Sequence, residues 1–141
     1  MTYQIIYSSQ ASAAMSVEDL EKILRDARSG NEARGVTGVL VYVDGVFLQI
    51  LEGAQDTLVD LMRNITRDSR HTSVKVIHEA EVEPPMFGSW RMAYLSATPE
   101  QVAVWASLEG TASIEDILQG MQRTPHRAGD VADGILRALA A

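Results

Sequence analysis

Two polar side chains occupy positions where the surrounding pattern favours apolar ones. Gln49 lies within the apolar run VFLQILEG, and Tyr7 lies near the end of the alternating run YQIIYSS. If these runs are buried strands, the amide of Gln49 needs a hydrogen-bonding partner, because leaving it unpaired costs about 1–3 kcal/mol. Taken singly, each residue has a simpler explanation: a glutamine at a solvent-exposed edge, or a core tyrosine with its hydroxyl at the rim.

Asn31 is a third polar candidate, and the other residue types offer little catalytic chemistry. It follows the first predicted helix, where an asparagine also serves simply by tolerating a left-handed backbone. No serine, histidine and aspartate have the spacing of a nucleophilic triad, and no glycine-rich loop could cradle a phosphate. His71, His78 and His126 are too far apart for a local pair of metal ligands. The sequence therefore disfavours an enzyme and indicates no metal site.

The composition is that of one soluble domain. Of 141 residues, 46% are hydrophobic and 22% are charged, which suffices for a single core. The chain has no cysteine, so a reducing cytoplasm is expected. No apolar run approaches the roughly 20 residues of a membrane span, and the N-terminus lacks the features of a leader. A formal net charge of −7 disfavours nucleic acid as a partner.

Hydrophobic periodicity predicts the order β-α-β-β-α-β-β for residues 1–96. Strands are predicted for YQIIYSS, for the two halves of GVTGVLVYVDGVFLQILEG, for SVKVIHEAEV and for WRMAYLS. Asp44-Gly45 divides the second of these segments as a two-residue hairpin turn. The first helix begins at the N-cap Ser16, and the second runs from about Asp56 to Arg67. This is a ferredoxin-like α+β order with an extra strand, in which two helices cover one face of an antiparallel or mixed sheet.

Residues 97–141 are predicted to form a helical extension in the same compact unit. Helix starts are indicated at Thr98-Pro99, at Ser113 and at Thr124-Pro125. One face of the last helix is formed by Val131, Ile135, Ala138 and Leu139. The C-terminal helices either cover the other side of the sheet or bind a partner.

Four segments mark the first two thirds of the chain: IIYSSQA, NEARGVTGVLVYVDGVFLQILEG, ITRDSRH and FGSWRMAY. Together they resemble the BLUF family, the blue-light sensors that use a flavin, over roughly residues 2–96 and with that family's spacing. A TGxL element alone would mean little, whereas the ordered set is specific. The resemblance implies a photoreceptor that catalyses no net reaction. Its cofactor would be FAD, with FMN or riboflavin as alternatives, because the pocket holds mainly the ring.

The resemblance implies a photochemical role for Tyr7 and Gln49. Tyr7 would donate an electron and then a proton to the excited flavin, and its hydroxyl would be hydrogen-bonded to Gln49. Gln49 would lie between the tyrosine and the N5 and C4 carbonyl of the flavin, which supplies the partners that its amide needs. On illumination Gln49 would rotate, tautomerise or do both, and the flavin spectrum would shift slightly to the red until the dark state returns thermally.

The resemblance also implies which residues hold the ring. Asn31 would hold the C4 carbonyl and the N3 edge, and Ile23 and Ile65 would sandwich the ring between the two helices. Asn64 and Asp68 would contact its far edge. Without the resemblance, the two isoleucines would be interpreted as ordinary core residues.

Trp90 and Met92 complete the predicted photoactive set. They are two apart on the predicted fifth strand and hence on one face, where the family has a tryptophan and a methionine that exchange places near the flavin. The alternative is a core tryptophan beside a gap-filling methionine. Gly30 and Arg91 depart from the family pattern, in which a larger polar residue and a serine are common, so one flavin contact is expected to be missing at Gly30.

The response to light is expected to leave the chain by protein contact. Residues 97–141 are too few for a cyclase or a phosphodiesterase. We therefore expect a separate effector protein and a homo-oligomer, with the C-terminal helices as the contact surface. The alternative is a light-independent ferredoxin-like module that binds a small molecule between its helices and would be colourless. A small hydrolase ranks last, because the loop SSQASAAM has no basic residue.

Overall fold

The computed structural model describes residues 2–11, 15–88, 90–107 and 113–140. Residues 12–14 of the loop SSQASAAM and residues 108–112 of the extension lie outside the described residues. In chain order the elements are β1 (Thr2–Ala11), α1 (Val17–Arg34), β2 (Thr37–Val43), β3 (Val46–Gly53), α2 (Gln55–Arg67), β4 (His71–Val82), β5 (Ala93–Ser96), α3 (Pro99–Trp105), α4 (Ile114–Arg123) and α5 (Pro125–Ala140).

The five strands form one mixed sheet in the order β4-β1-β3-β2-β5. β1 pairs antiparallel with β3 and β4, β2 pairs antiparallel with β3, and β2 pairs parallel with β5. Asp44 and Gly45 form the turn between β2 and β3 with φ angles of 49° and 78°, as a two-residue hairpin turn requires. The predicted ferredoxin-like α+β fold with an additional strand is confirmed.

The sheet has an apolar core on each face. Beneath α1 and α2, side chains such as Ile5, Tyr7 and Leu51 join Ile23 and Leu58 of the two helices. The opposite core joins sheet residues to α3, α4 and α5, and its sheet residues include Ile6, Val39, Val41, Leu48 and Ile50. Because β3 is buried on both faces, its sequence is apolar at consecutive positions and does not alternate.

Side-chain caps define the start of three helices. Ser16 accepts a hydrogen bond from the backbone of Asp19, whose carboxylate in turn accepts from the backbone of Ser16, so α1 begins with a capping box. α3 begins with the same reciprocal arrangement, which joins Thr98 and Gln101. Ser113 accepts a hydrogen bond from the backbone N–H of Asp116 at the start of α4. These three predicted helix starts are confirmed.

The C-terminal helices cover the second face of the sheet, which was the first of the two predicted alternatives. Val131 and Ile135 of α5 are fully buried in that core, and Leu139 packs at its edge. Ala138 is exposed, so its predicted place on this face is wrong: the buried stripe passes from Ile135 to Leu139, four residues on. Within the described part of the chain, no helix is long and apolar enough to cross a membrane.

Candidate functional site

A cavity of about 160 Å³ opens between α1 and α2 above the sheet. The sheet supplies its floor, and the two helices and the turn after α2 supply its walls and mouth. Its lining residues are Tyr7, Ile23, Asp26, Ala27, Asn31, Leu40, Gln49, Leu61, Asn64, Ile65, Asp68, Arg70 and His71. The fold therefore brings together all seven residues that the sequence predicted as cofactor contacts.

Tyr7 and Gln49 lie directly opposite each other on the neighbouring strands β1 and β3. The Tyr7 hydroxyl donates a hydrogen bond to Oε1 of Gln49, and both side chains are buried. The amide nitrogen of Gln49 donates to Sδ of Met92 at 3.2 Å. The glutamine that stands out in the sequence is thus held between a phenol and a thioether at the floor of the cavity.

Burial raises the pKa of the Tyr7 hydroxyl, and the nearby Asp68 carboxylate raises it further. The phenol therefore keeps its proton at neutral pH. If an electron were removed from the ring, the hydroxyl would become strongly acidic, and its hydrogen bond aims the proton at Oε1 of Gln49.

Asn31 lies within α1 and not after it, so its predicted place is wrong, and its side chain has a buried donor with no partner in the described residues. Its residue is 3% exposed, and among the described residues its Nδ2 is the one buried side-chain N or O atom that lacks a hydrogen bond. An unmet buried donor costs about 1–3 kcal/mol. Asn31 lines the cavity, so an acceptor on a bound molecule, such as a ring carbonyl, would satisfy it.

Three charged side chains that line the cavity are joined by ion pairs. Arg70 binds Asp68 at 2.6 Å and reaches Asp26 of α1 at 3.1 Å, which links the turn after α2 to α1. These hydrogen bonds from Arg70 lower the pKa of Asp68 to about 2. Sequence reasoning assigned no role to Arg70 or Asp26, although ITRDSRH places Arg70 two residues after Asp68, within reach of it.

His71 is a second lining residue that the sequence analysis left without a role. Its Nδ1 lies 2.8 Å from the hydroxyl oxygen of Ser9, and its ring packs against Phe47 with a centroid separation of 4.9 Å. Burial lowers the pKa of His71, an effect that the charge of Asp68 opposes. The imidazole is therefore held in its neutral form beside the cavity.

Trp90 and Met92 do not share a face, and neither lies in a strand, so that prediction is wrong. β5 begins only at Ala93, because the preceding residues form a bend in which Gly38 N–H donates to the carbonyl of Trp90 and Arg28 Nε donates to that of Met92. Met92 is buried in the core that contains Tyr7, whereas Trp90 packs against the opposite core. Strand alternation does not hold through such a bend.

The two departures from the family pattern lie on the helix and loop near this bend. Arg91 forms an exposed ion pair with Glu32 of α1, with a separation of 2.8 Å. A Cβ atom placed on Gly30 would meet no heavy atom within 4 Å. The described residues hold no group of three or more His, Asp or Glu side chains that could bind a metal ion.

Comparison with known proteins identifies a family match across most of this architecture. The model of the BLUF family, described as sensors of blue-light using FAD, matches residues 2–93. The chain is 38% identical over 110 residues to photoactivated adenylate cyclase subunit beta of Euglena gracilis, a match that covers 77% of this chain and 13% of the relative. The chain thus spans about an eighth of the length of this curated relative.

Solved structures agree in fold. The dark-state structure of BlrB, a BLUF protein, superposes with a TM-score of 0.76 at 23% identity, covering 97% of this chain and 96% of that chain. The ground state of BlsA superposes with a TM-score of 0.68 at 30% identity, covering 76% of this chain and 72% of the other. The similarity to BlrB extends through the C-terminal helices.

Proposed function

Because the chain belongs to the BLUF family of blue-light sensors that use FAD, we propose that it responds to blue light through the buried pair Tyr7 and Gln49. One observation carries this proposal: the phenol donates to the amide at the floor of the cavity, where Asn31 presents an unmet donor. Residues 1–96 form the flavin-binding unit, and residues 97–141 form a helical extension of it.

The lining residues suit a flat aromatic ring with carbonyl groups. Ile23 of α1 and Ile65 of α2 offer aliphatic surfaces for its two faces, and Asn31 offers a donor to a carbonyl at its edge. Asn64 and Asp68, which also line the cavity, would contact its far edge. The bound flavin supplies absorption of blue light and accepts an electron. The cavity of about 160 Å³ is smaller than the roughly 300–1,000 Å³ of most small-molecule sites, and these residues would hold the ring, with the tail of the nucleotide outside.

In the proposed response, Tyr7 would give an electron and then its hydroxyl proton to the excited flavin, with Oε1 of Gln49 accepting that proton as its Nε2 releases one. The electron and the proton would later return to Tyr7, so no net reaction occurs. The amide of Gln49 would be left in a second arrangement, rotated, tautomerised or both. Both arrangements change what Gln49 offers to Met92, whose Sδ accepts from its Nε2 in the present structure. The proposed switch is therefore an exchange between two hydrogen-bond arrangements of Gln49, and Met92 is the neighbour whose hydrogen bond changes.

The output is proposed to pass to a second protein. Photoactivated adenylate cyclase subunits, of which this chain matches about an eighth, carry their activity in a much longer chain. In the described residues, the cavity and its pair offer a photochemical switch and no catalytic group for an external substrate. We infer an effector protein contacted through the C-terminal helices or the sheet edge, with self-association as a second route.

The test is an absorption spectrum of the purified, flavin-loaded protein before and after blue light. The expected result is a small red shift that reverses in the dark. A flavin that is bound and shows no shift would overturn the role of the pair, and a protein that takes up no flavin on reconstitution would overturn the cofactor assignment.

Two substitutions with matched controls assign the response to the pair. Gln49→Leu and Tyr7→Phe should each retain flavin and lose the red shift, because each removes the hydrogen bond that joins them. The controls are Gln10→Leu at an exposed site on β1 and Tyr42→Phe on β2, and both should keep the shift. A normal red shift in either test variant would contradict the proposed mechanism.

A further inference from the structure

Glu52 is a buried carboxylate that the proposed photochemistry does not use. It lies on β3, three residues after Gln49, and is 1% exposed. An odd spacing on a strand turns its side chain to the sheet face opposite the cavity. A carboxylate in an apolar core is stable only when several donors surround it.

Three donors meet the carboxylate of Glu52. The side-chain amide of Gln4 donates at 2.9 Å, the backbone N–H of Met86 at 3.0 Å, and that of Phe87 at 2.6 Å. Hydrogen bonds to an ionised acceptor are about twice as strong as neutral ones. Because two of the donors belong to consecutive backbone groups, Glu52 fixes the path of the chain at Met86 and Phe87.

That path leads from Glu52 to the photoactive pair. We call residues 86–88 and 90–92 the return segment. At its start, Phe87 is buried, and its carbonyl accepts from the Trp90 N–H at 3.0 Å. At its end, Sδ of Met92 accepts from Gln49 at 3.2 Å. The return segment is thus bonded at one end to a fixed carboxylate and at the other to the amide that changes with light.

We propose that Glu52 is the positioning residue that holds the fixed end of the return segment, so that a change at Gln49 and Met92 is taken up at Trp90. The inference rests on the proposed function, because the change at Gln49 is its input. Trp90 packs against the core beneath α3, α4 and α5, and its ring lies 6.4 Å from that of Phe87. With the start of the return segment held by Glu52, a movement of Trp90 changes its packing against the C-terminal helices.

The first test is made in darkness, where it does not depend on photochemistry. Glu52→Gln keeps the shape of the side chain but turns an acceptor into a donor that faces the backbone N–H groups. Glu81→Gln, at an exposed site on β4, makes the same charge change as a control. Hydrogen exchange at the Trp90 amide should quicken about tenfold in Glu52→Gln, which corresponds to about 1.4 kcal/mol, and should not change in Glu81→Gln. Equal exchange in both variants would overturn the proposal.

The second test follows Trp90 under illumination. With Trp105 replaced in Trp105→Phe, Trp90 is the remaining tryptophan of the two in the chain. Glu52→Gln should keep the flavin red shift and lose most of the light-induced change in Trp90 fluorescence, while Glu81→Gln keeps both. A full fluorescence change in Glu52→Gln would overturn the anchor. A missing red shift in the unaltered chain would instead contradict the proposed function. The hydrogen-exchange experiment in darkness would then still test whether Glu52 holds the return segment.

A third measurement needs no substitution and covers the case that Glu52→Gln does not fold. In the unaltered chain, the amides of Met86 and Phe87 should keep their protection from exchange in the light, since their acceptor is Glu52. The Trp90 amide should lose protection. Loss of protection at all three positions together would show that the segment moves as a whole and would overturn the proposal.

Discussion

Asn31 favours ligand binding but lowers the stability of the protein without its ligand. Its buried Nδ2 has no partner within the described residues, so the cost of burying it is offset only when an acceptor enters the cavity. A binding site built this way is tuned to its ligand and not to the stability of the apo form. The same reasoning separates the effect of a substitution on binding from its effect on folding.

Asn31→Leu should therefore change binding and stability in opposite directions. The apo form should be at least as stable as the unaltered chain, because an unpaired donor is replaced by apolar surface. Flavin affinity should fall about 10-fold to 100-fold, the range of one or two lost hydrogen bonds. Urea unfolding of the apo form and a flavin titration measure the two effects. A variant with lower apo stability and unchanged affinity would contradict this account.

His71 should make the apo protein less stable in mild acid. Its pKa is lowered from 6.5 by burial, so the unfolded chain takes up a proton before the folded one does. His71 therefore costs no stability above pH 6.5. As the pH falls below 6.5, the free energy of unfolding decreases by up to about 1.4 kcal/mol per pH unit. Urea unfolding between pH 7.5 and pH 5 should show this slope. The slope should vanish in His71→Gln and persist in His78→Gln; the opposite pattern would rule out His71 as its source.

At the scale of residues, the sequence allowed the prediction of site residues whose polarity differs from that of their neighbours in the chain. Gln49 could be predicted because an amide is out of place among apolar neighbours, and its partner Tyr7 followed from the family resemblance. Arg70 and His71 could not, because a charged turn after a helix is ordinary, and its relation to Asp26 and Ser9 depends on contacts between elements that are far apart in the chain.

At the scale of elements, α3 and α5 approach so closely that one position admits no side chain. A Cβ atom placed on Gly134 of α5 would lie 2.6–2.8 Å from Trp105 of α3, against the base of its ring. Gly129, in the same helix, has open space around it. The two glycines therefore form a matched pair for testing the packing between the helices.

Gly134→Ala should destabilise the protein, and Gly129→Ala should not. The first forces Trp105 from its position, at a cost of about 1–3 kcal/mol for overpacking. The second gains up to about 1 kcal/mol from the helix propensity of alanine. Chemical unfolding followed by tryptophan fluorescence gives both values. Equal effects at the two positions would mean that Trp105 does not rest on Gly134.

The elements themselves were predictable wherever one local rule decided them. The Asp44-Gly45 turn and the caps at Ser16 and Thr98 follow from backbone geometry and from hydrogen bonds within a few residues. The predicted start of β5 was wrong because the residues around Trp90 form a bend, which is held by hydrogen bonds from Gly38 and Arg28. Those two donors are distant in sequence, so no local pattern shows them.

At the scale of the whole molecule, the sheet needs both of its helical layers. A chain ended after residue 97 would expose the apolar face that contains Val39, Val41, Leu48 and Ile50. We expect it to self-associate and to bind a hydrophobic dye, because exposed apolar patches of this kind promote aggregation. Gel filtration and dye fluorescence, compared with the full chain, measure this. A monomeric, cooperatively folding truncated chain would show that α3, α4 and α5 are dispensable.

β1 lies in the sheet between β3 and β4, two strands that follow it in the sequence and are made after it. Its neighbours β3 and β4 end at Gly53 and Val82, so during synthesis β1 emerges from the ribosome with both of its edges unpaired. At about 5–20 residues per second, several seconds pass before β4 follows. An apolar strand with two free edges is a target for misassociation during that time. We therefore expect chains in synthesis to depend on chaperones that bind β1 until β4 has been made.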